Sequence, residues 1–219
     1  MAEMGLYETM RTLRAVRRLR PDPIPDDVLR RVLEAATWAP SGGNRQGWRI
    51  IVVKDPARKQ RMRSLYAMHW AEYLKRYANM PADTPQAVRQ RTGRLVSAGN
   101  YLAEHLHEAP VLAVFCFNPT QLAVTDEKLD RVSVVGGGSI YPAVQNLLLA
   151  CRAEGLGCVL TTLLCASEPE IRELLSIPQP WGTAATVPIG YPVGRGHGPI
   201  TRQPVEAMAF LDSWDRPLK

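Results

Sequence analysis

Four runs of β-forming residues alternate with longer segments of helical apolar spacing, and no other feature of the sequence constrains the fold as strongly. The pattern predicts strands over residues 48–54, 111–117, 157–163 and 183–189. Strands that alternate with helices are typical of a layered domain in which helices cover a central sheet. We find no internal repeat and no clear domain boundary, so we expect a single domain over residues 1–219.

Helical periodicity and helix-ending residues define the segments between the strands. They predict helices over residues 6–13, from Asp26 or Asp27 to about residue 37, twice between 57 and 108 with a break at 79–85, over 139–154 and over 168–175. The helix over 139–154 is apolar on nearly all sides, which predicts a buried layer or an oligomer interface. The last fifteen residues are more apolar than a free tail, so we expect them to pack against something, such as a partner subunit.

The connection from residue 38 to residue 48 carries more polar side chains than a simple turn needs. Pro40 ends the preceding helix, while Gly42 and Gly43 permit positive φ angles and a close approach of the backbone to a ligand. Hydrogen-bond donors and acceptors come from the side chains of Ser41, Asn44, Arg45 and Gln46. We interpret the connection as a ligand loop; ordinary turn chemistry is the alternative that the same composition allows.

Positive charge is concentrated near the N-terminus. The chain has a formal net charge of +6 and a sequence pI near 9.3, and five arginines lie between Arg11 and Arg20 with no acidic residue among them. Such a cluster is typical of a nucleic-acid-binding face or of a compact phosphate site. Because the sequence has no zinc finger, helix-turn-helix spacing or aromatic ribonucleoprotein motif, the phosphate site is the favoured interpretation.

Several other classes of site and location find no support in the sequence. The glycines at 136–138 indicate a close backbone approach but form neither a P-loop nor a dinucleotide fingerprint. The four cysteines and four histidines lack metal-ligand spacing, so no metal site is expected and the cysteines are interpreted as reduced core residues. No apolar segment reaches the ~18 residues of a membrane span, and no basic region with an apolar run opens the chain. We therefore expect a cytoplasmic protein with no membrane partner.

Four stretches of the chain, in this order, resemble the nitroreductase family of FMN-dependent, homodimeric flavin oxidoreductases. They are residues 14–18 followed by 21–23, residues 39–46, residues 141–150 continuing to 155–157, and residues 188–192 with 202–206. The resemblance implies an α+β fold with α/β-type layering. In this three-layer fold, a central mixed sheet of four to five strands is flanked by helices, and the C-terminal segment packs on the partner subunit.

The resemblance also implies which residues bind FMN. Those near the FMN phosphate, through side chains or backbone N–H groups, are Arg14, Ala15, Val16, Arg17, Arg18 and Arg202. Those in the loop near the flavin are Ser41, Asn44 and Gln46, with Asn44 able to pair with the polar edge of the isoalloxazine ring. Those that face the flavin ring are Thr161, Thr162 and Leu163, although β-propensity in a buried strand explains the threonines equally well.

Three positions depart from the pattern that is common in the family. Ala15 stands where many members have serine, Leu13 where many have arginine, and Gly47 where proline usually precedes the tryptophan. The first two changes remove side-chain contacts to the phosphate. Arg14, Arg17 and backbone N–H groups would have to compensate for them.

The activity that the resemblance implies is an oxidoreductase in which NAD(P)H reduces FMN and an electron-poor acceptor, such as a nitroaromatic or a quinone, is reduced in turn. The flavin would sit at the interface of a homodimer and perform the chemistry, so no catalytic side chain and no nucleic-acid partner are expected. The alternatives are other FMN chemistry, including reductive dehalogenation or flavin destruction, and a non-catalytic protein that binds flavin or nucleic acid.

Overall fold

A computed structural model describes residues 4–78, 81 and 83–218 of the chain. Its helices are α1 (Leu6–Thr12), α2 (Asp26–Thr37), α3 (Pro56–Ala78), α4 (Gln86–His105), α5 (Tyr141–Ala153) and α6 (Glu168–Leu175). Its strands are β1 (Trp48–Val53), β2 (Val111–Phe117), β3 (Gly157–Cys158) and β4 (Gly182–Gly190). The predicted break at 79–85 includes positions 79, 80 and 82, which lie outside the described residues.

The four strands form one sheet in the order β1-β2-β4-β3, and the expected α+β layering is confirmed. All three pairings are antiparallel, so the part of the chain that the structure describes has no parallel pair that would make the sheet mixed. The strand predicted over 157–163 is wrong beyond Cys158. The chain leaves the sheet there and returns only at Thr161, whose N–H and C=O both bond to Thr186 at 3.0 and 2.8 Å.

Alternate residues of β2 enter two separate cores, because successive side chains of a strand point to opposite faces of the sheet. Val111, Ala113 and Phe115 pack towards α2 and α5, whereas Leu112, Val114 and Cys116 pack towards α3, α4 and α6. The result is three layers, helices on sheet on helices. The single domain over residues 1–219 stays a prediction, which the shared sheet supports.

Helix ends differ from the sequence prediction where tertiary contacts take over the local signals. Asp26 and Asp27 do not cap α2; their carboxylates bond to Lys54 at 2.8 Å and Arg31 at 2.9 Å, and Pro25 precedes the helix. Helix α5 starts at Tyr141 instead of residue 139 and is closed by Gly155 at φ +74°. Its inner face is buried, as the apolar pattern predicts.

The described residues also bear on the expectations about cysteines, metals and membranes. All four cysteines are free thiols, and Cys116, Cys151 and Cys158 are buried. Burial raises the pKa of Cys116 to about 11, which keeps this thiol protonated and unreactive at neutral pH. Within the described ranges, no helix is long and apolar enough to cross a bilayer and no cluster of His, Cys, Asp or Glu could hold a metal ion.

Candidate functional site

The segment that carries the N-terminal arginines is fixed along one edge of the sheet. The Val16 N–H donates to the Cys158 carbonyl at 2.9 Å, and the Arg20 N–H donates to the Tyr191 carbonyl at 2.7 Å. Val16 is buried against Gly157, where an added Cβ would come within 2.7 Å of the valine side chain. The backbone of residues 14–18 is therefore held beside β3 and the end of β4.

His197 connects this segment to the sheet through both ring nitrogens. Its Nδ1 accepts from the Arg14 N–H at 3.3 Å, and its Nε2 lies 2.8 Å from the Leu156 carbonyl. These partners assign the proton to Nε2, which donates to the carbonyl. Burial lowers the pKa of His197, so the ring is neutral at pH 7 and serves as a fixed link rather than a charge.

The three N-terminal arginines among the four predicted to lie near the phosphate have different surroundings. Arg14 is exposed and donates through Nε at 2.9 Å, and also through Nη2, to the Pro199 carbonyl. Arg17 is half-buried beside Tyr66, whereas the Arg18 guanidinium lies over the Tyr101 ring at 4.3 Å. Arg18 is therefore directed towards α4, and phosphate binding by Arg14 and Arg17 stays a prediction.

Tyr66 marks where the predicted threonine segment meets the arginine segment. Burial raises the pKa of Tyr66, while a hydrogen bond with Thr161 and the positive charge of Arg17 lower it. Thr161 is buried, Thr162 is exposed and Leu163 is half-buried. Thr161 therefore holds the local structure together, and Thr162 is the threonine that a ligand can reach. Sequence reasoning missed Tyr66 because its position in α3 fits ordinary core periodicity.

The loop at residues 41–46 is held in an unusual conformation by its own side chains. Gly43, Asn44 and Gln46 all have positive φ, at 59°, 52° and 50°. Ser41 Oγ accepts from the Gln46 N–H at 3.0 Å, and Gln46 Nε2 donates to Asn44 Oδ1 at 3.1 Å. Left-handed conformations of residues other than glycine are costly and concentrate at functional sites. The conformation supports the ligand-loop interpretation.

Two further contacts anchor the loop to distant parts of the chain. The Gly42 N–H donates to Ser139 Oγ at 3.0 Å, a contact that sequence reasoning missed although Ser139 follows the three glycines. Gly47 lies so close to Gln121 that an added Cβ would be 2.8 Å from the glutamine Cβ. The proline of related sequences would require Gln121 to move. This explains the glycine at that position.

Arg202 lies at the end of a segment that runs beside the first arginines. The Gly198 and Ile200 N–H groups donate to the carbonyls of Thr12 and Arg11 at 3.0 and 3.3 Å. Two residues further on, the Arg202 side chain is exposed and bonds to the Thr201 carbonyl at 2.9 Å. Arg202 thus lies three residues beyond Pro199, whose carbonyl accepts from Arg14, although 188 positions separate the two arginines in sequence.

The arginine segment and the loop lie at opposite corners of the sheet. The loop enters β1 at Trp48, which is in register with Phe117 and Gly182, whereas Val16 bonds at Cys158, which is in register with Ile189. Strand spacings of about 4.8 Å and rises of about 3.3 Å per residue put these corners roughly 14 Å apart across the strands and roughly 20 Å apart along them. One chain does not bring the two groups together.

Comparison with known proteins agrees with this architecture. A family model described as the Nitroreductase family matches residues 10–191. A protein of Thermus thermophilus named NADH dehydrogenase is 32% identical over 198 residues, which cover 90% of this chain and 91% of that protein. Iodotyrosine deiodinase 1 of Rattus norvegicus is 30% identical over 193 residues, which cover 88% of this chain and 64% of the deiodinase.

A solved structure has the same fold. The nitroreductase of Desulfitobacterium hafniense, crystallised with bound FMN, superposes with a TM-score of 0.69 at 21% identity and covers 95% of this chain and 100% of that one. With the family match over most of the chain, the class is clear: this is an α+β flavoprotein fold with its candidate site divided between two corners of a sheet. The chain belongs to the nitroreductase family.

Proposed function

We propose that two copies of this chain form a homodimer that binds FMN between them. Each flavin would take the arginine segment of one copy and the 41–46 loop of the other. The observation that carries the proposal is the placement of these groups at opposite corners of one sheet, too far apart for a single chain to enclose a cofactor with both. A second copy supplies the missing half.

The chemical groups at the two corners fit the two ends of FMN. At one corner, Arg14, Arg17 and Arg202 provide cations for a phosphate, and arginine's planar fork matches phosphate oxygens. At the other, the bond from Gln46 Nε2 to Asn44 Oδ1 leaves the side-chain N–H groups of Asn44 and the side-chain carbonyl of Gln46 available to a ligand. This combination of donor and acceptor suits the carbonyls and ring N–H of an isoalloxazine edge.

Exposed apolar residues indicate where the second copy would pack. Leu6 and Trp38 are 60% and 73% exposed and line a groove of about 580 Å³ between α1, α2 and α5, and Met10 on α1 is 44% exposed. Exposed apolar side chains rimmed by polar ones, here those of Arg31, Glu34, Asn146 and Glu154, mark an interaction site. Leu6 and Met10, four positions apart on α1, thus face outward, while the buried residues of this helix are Thr9 and Thr12.

The free edge of β1 offers a second contact for the partner. Trp48 Nε1 is buried there with no hydrogen-bond partner among the described residues, beside an apolar recess of about 300 Å³. The C-terminal segment presents Met208 and Trp214, which are 70% and 82% exposed. Added in parallel to β1, the partner's C-terminal segment would complete the mixed sheet that the family resemblance implies.

Bound FMN would supply the redox chemistry: it would accept a hydride from NAD(P)H and pass the electrons to an electron-poor acceptor. The protein's part is to bind and orient. Arg14 and Arg17 fix the phosphate, the loop fixes the ring edge, and the exposed Thr162 provides a hydroxyl donor towards the ring. Donor hydrogen bonds aimed at developing negative charge stabilise it without further reorganisation. A soluble acceptor and NAD(P)H would use the same face in turn.

Optical spectroscopy of the purified protein tests the proposal. We expect a yellow protein whose visible absorbance is lost on anaerobic addition of NADPH or NADH and returns with a quinone or nitroaromatic acceptor. Acid release should yield FMN, and Arg202→Ala should reduce FMN affinity about tenfold through loss of one charge-assisted bond. A flavin that neither nicotinamide donor can reduce would contradict the reductase activity.

Reductive deiodination is a second candidate, supported by the relative from Rattus norvegicus. In that reaction an aryl iodide takes two electrons and a proton, and iodide leaves. Incubation with iodotyrosine under anaerobic dithionite would release iodide at a rate proportional to protein if the chain has this activity. Flavin destruction predicts instead that total flavin, oxidised plus reduced, falls when reduced FMN is incubated with the protein in air, whereas reduced FMN without the protein is merely reoxidised to FMN.

A further inference from the structure

Helix α4 forms one wall of a groove beside the arginine segment. Two adjoining depressions share Arg18, Gly93 and Ser97, and the larger has a volume of about 580 Å³. Nine residues of α4 line them: six recur every three or four positions on one face of the helix, at 90, 93, 94, 97, 101 and 104, and three flank that face, at 96, 98 and 100. The groove is large enough for part of a small ligand.

Two arginines, Arg18 and Arg94, give the groove a positive charge. Neither Arg18 nor Arg94 takes part in any ion pair found among residues 4–78, 81 and 83–218. Stacking of Arg18 on Tyr101 fixes the plane of the guanidinium and leaves its in-plane N–H groups available. Ser97 adds a polar side chain between the two cations, and Gln90 adds one a turn beyond Arg94.

The only acidic residue lining these depressions in the described chain lies at the far end. Glu104 is ten residues from Arg94, about 15 Å along the helix. Arg18, stacked on Tyr101, lies between Arg94 and Glu104 along the helix, so an anion is attracted to the part of the groove bounded by Arg18, Ser97 and Arg94. Arg18 also places the groove next to the arginine segment, because it follows Arg17, whose positive charge acts on Tyr66.

We propose that this groove binds an oxyanion carried by a reactant: a phosphate of the nicotinamide donor or a carboxylate of the electron acceptor. The inference rests on the proposed reductase function and names Arg94 and Arg18 as residues that determine which reactants bind well. In this assignment Arg18 binds the reactant in the groove, whereas Arg14 and Arg17 bind the cofactor.

Direct binding separates this inference from the reductase activity. Calorimetry on the purified protein with its bound chromophore would use 2′,5′-ADP as the phosphate probe and 4-nitrobenzoate as the carboxylate probe. We expect Arg94→Gln to weaken the preferred probe about tenfold, as loss of a bond to a charged group predicts. Arg91→Gln is the matched control, since Arg91 is exposed on the same helix and lines neither depression.

A second variant fills the groove without changing its charge. No described atom lies within 4 Å of a Cβ added to Gly93, so Gly93→Leu can fold and should weaken the same probe. If the KM of these variants changes for NADPH alone, the groove binds a phosphate of the nicotinamide donor. If it changes for 4-nitrobenzoate but not for 4-nitrobenzamide, the groove binds the carboxylate of the acceptor. No binding of either probe to the unmodified protein, or equal affinities of Arg94→Gln and Arg91→Gln, would overturn the inference even if the flavin is reduced normally.

Discussion

At the scale of single residues, side chains that link distant segments define the candidate site more than the cationic groups do. His197 joins Arg14 to Leu156, and Ser139 joins the three-glycine segment to Gly42. Neither contact leaves a periodic signal in the sequence, because each depends on one hydrogen bond between residues far apart along the chain. These hydrogen bonds hold the arginine segment and the glycine-containing loop in place.

Neutral His197 should make stability depend on pH. Its folded-state pKa is lowered by burial, so the unfolded state binds the proton more readily. The free energy of unfolding should therefore be fully retained above the ordinary histidine pKa of about 6.5 and fall as pH decreases below it. Denaturant titrations at pH 7.5, 6.5 and 5.5 would measure the effect.

The matched variant for this experiment is His197→Gln, which cannot titrate in the same range. It should be less stable at pH 7.5 and show a shallower loss of stability towards pH 5.5. The carboxyl groups of Asp27, Asp126 and Glu154, whose pKa values are lowered by hydrogen bonds to neighbouring side chains, act below this window. Parallel pH curves for both proteins would assign the dependence to another group.

At the scale of secondary-structure elements, the α3–α4 pair depends on a close approach at Gly99. An added Cβ there would lie 2.1 Å from the Trp70 ring, which is buried and donates through Nε1 to Asn100 Oδ1 at 2.8 Å. Glycine in a helix costs about 1 kcal/mol relative to alanine. At this position, the packing of the indole compensates for that cost.

Gly99→Ala should therefore destabilise the protein, although alanine is the better helix former. Displacement of the Trp70 ring is an overpacking change, for which we expect a loss of about 2 kcal/mol. Gly93→Ala on the same helix meets no neighbour and should raise stability by about 0.5–1 kcal/mol. Chemical denaturation would measure the free energy of unfolding of both variants. An increase in both would show that α3 and α4 can move apart at Gly99 at little cost.

At the scale of the whole molecule, the sheet separates two groups that one cofactor would have to contact together. Strand order puts the loop at one edge and the arginine segment at the other, and exposed apolar residues lie on α1 beside α2 and α5. A homodimer would bury this surface and bring complementary corners together. Assembly and cofactor binding would then depend on the same contacts.

A charge on α1 should disrupt both properties. Met10→Glu is expected to shift the protein from dimer to monomer in analytical ultracentrifugation and to reduce bound FMN, because an unpaired carboxylate would be buried at the interface. Met68→Glu is the control, since Met68 is a 55% exposed methionine on α3 in the opposite layer. A flavin-loaded monomer of Met10→Glu would contradict the two-copy site.

The sequence by itself determined the elements whose signals are local. Strands β1, β2 and β4 and the central turns of all six helices follow from β-forming runs, helical spacing and the residues that end them. The sequence also singled out the loop at 41–46, by its glycines and polar side chains, and the arginine segment, by its uncompensated positive charge, although the composition of the loop also allows an ordinary turn. The family resemblance rests on these same stretches.

Only the tertiary structure decided where those stretches lie relative to one another in space. The early end of β3, the outward stripe of α1, the stacking of Arg18 on Tyr101 and the roles of Tyr66 and His197 all depend on contacts between distant segments. Register and strand order set the corners, and neither is encoded in any short window of residues. The two predicted halves of the site lie apart within one chain because cross-strand pairing, not local sequence, sets their separation.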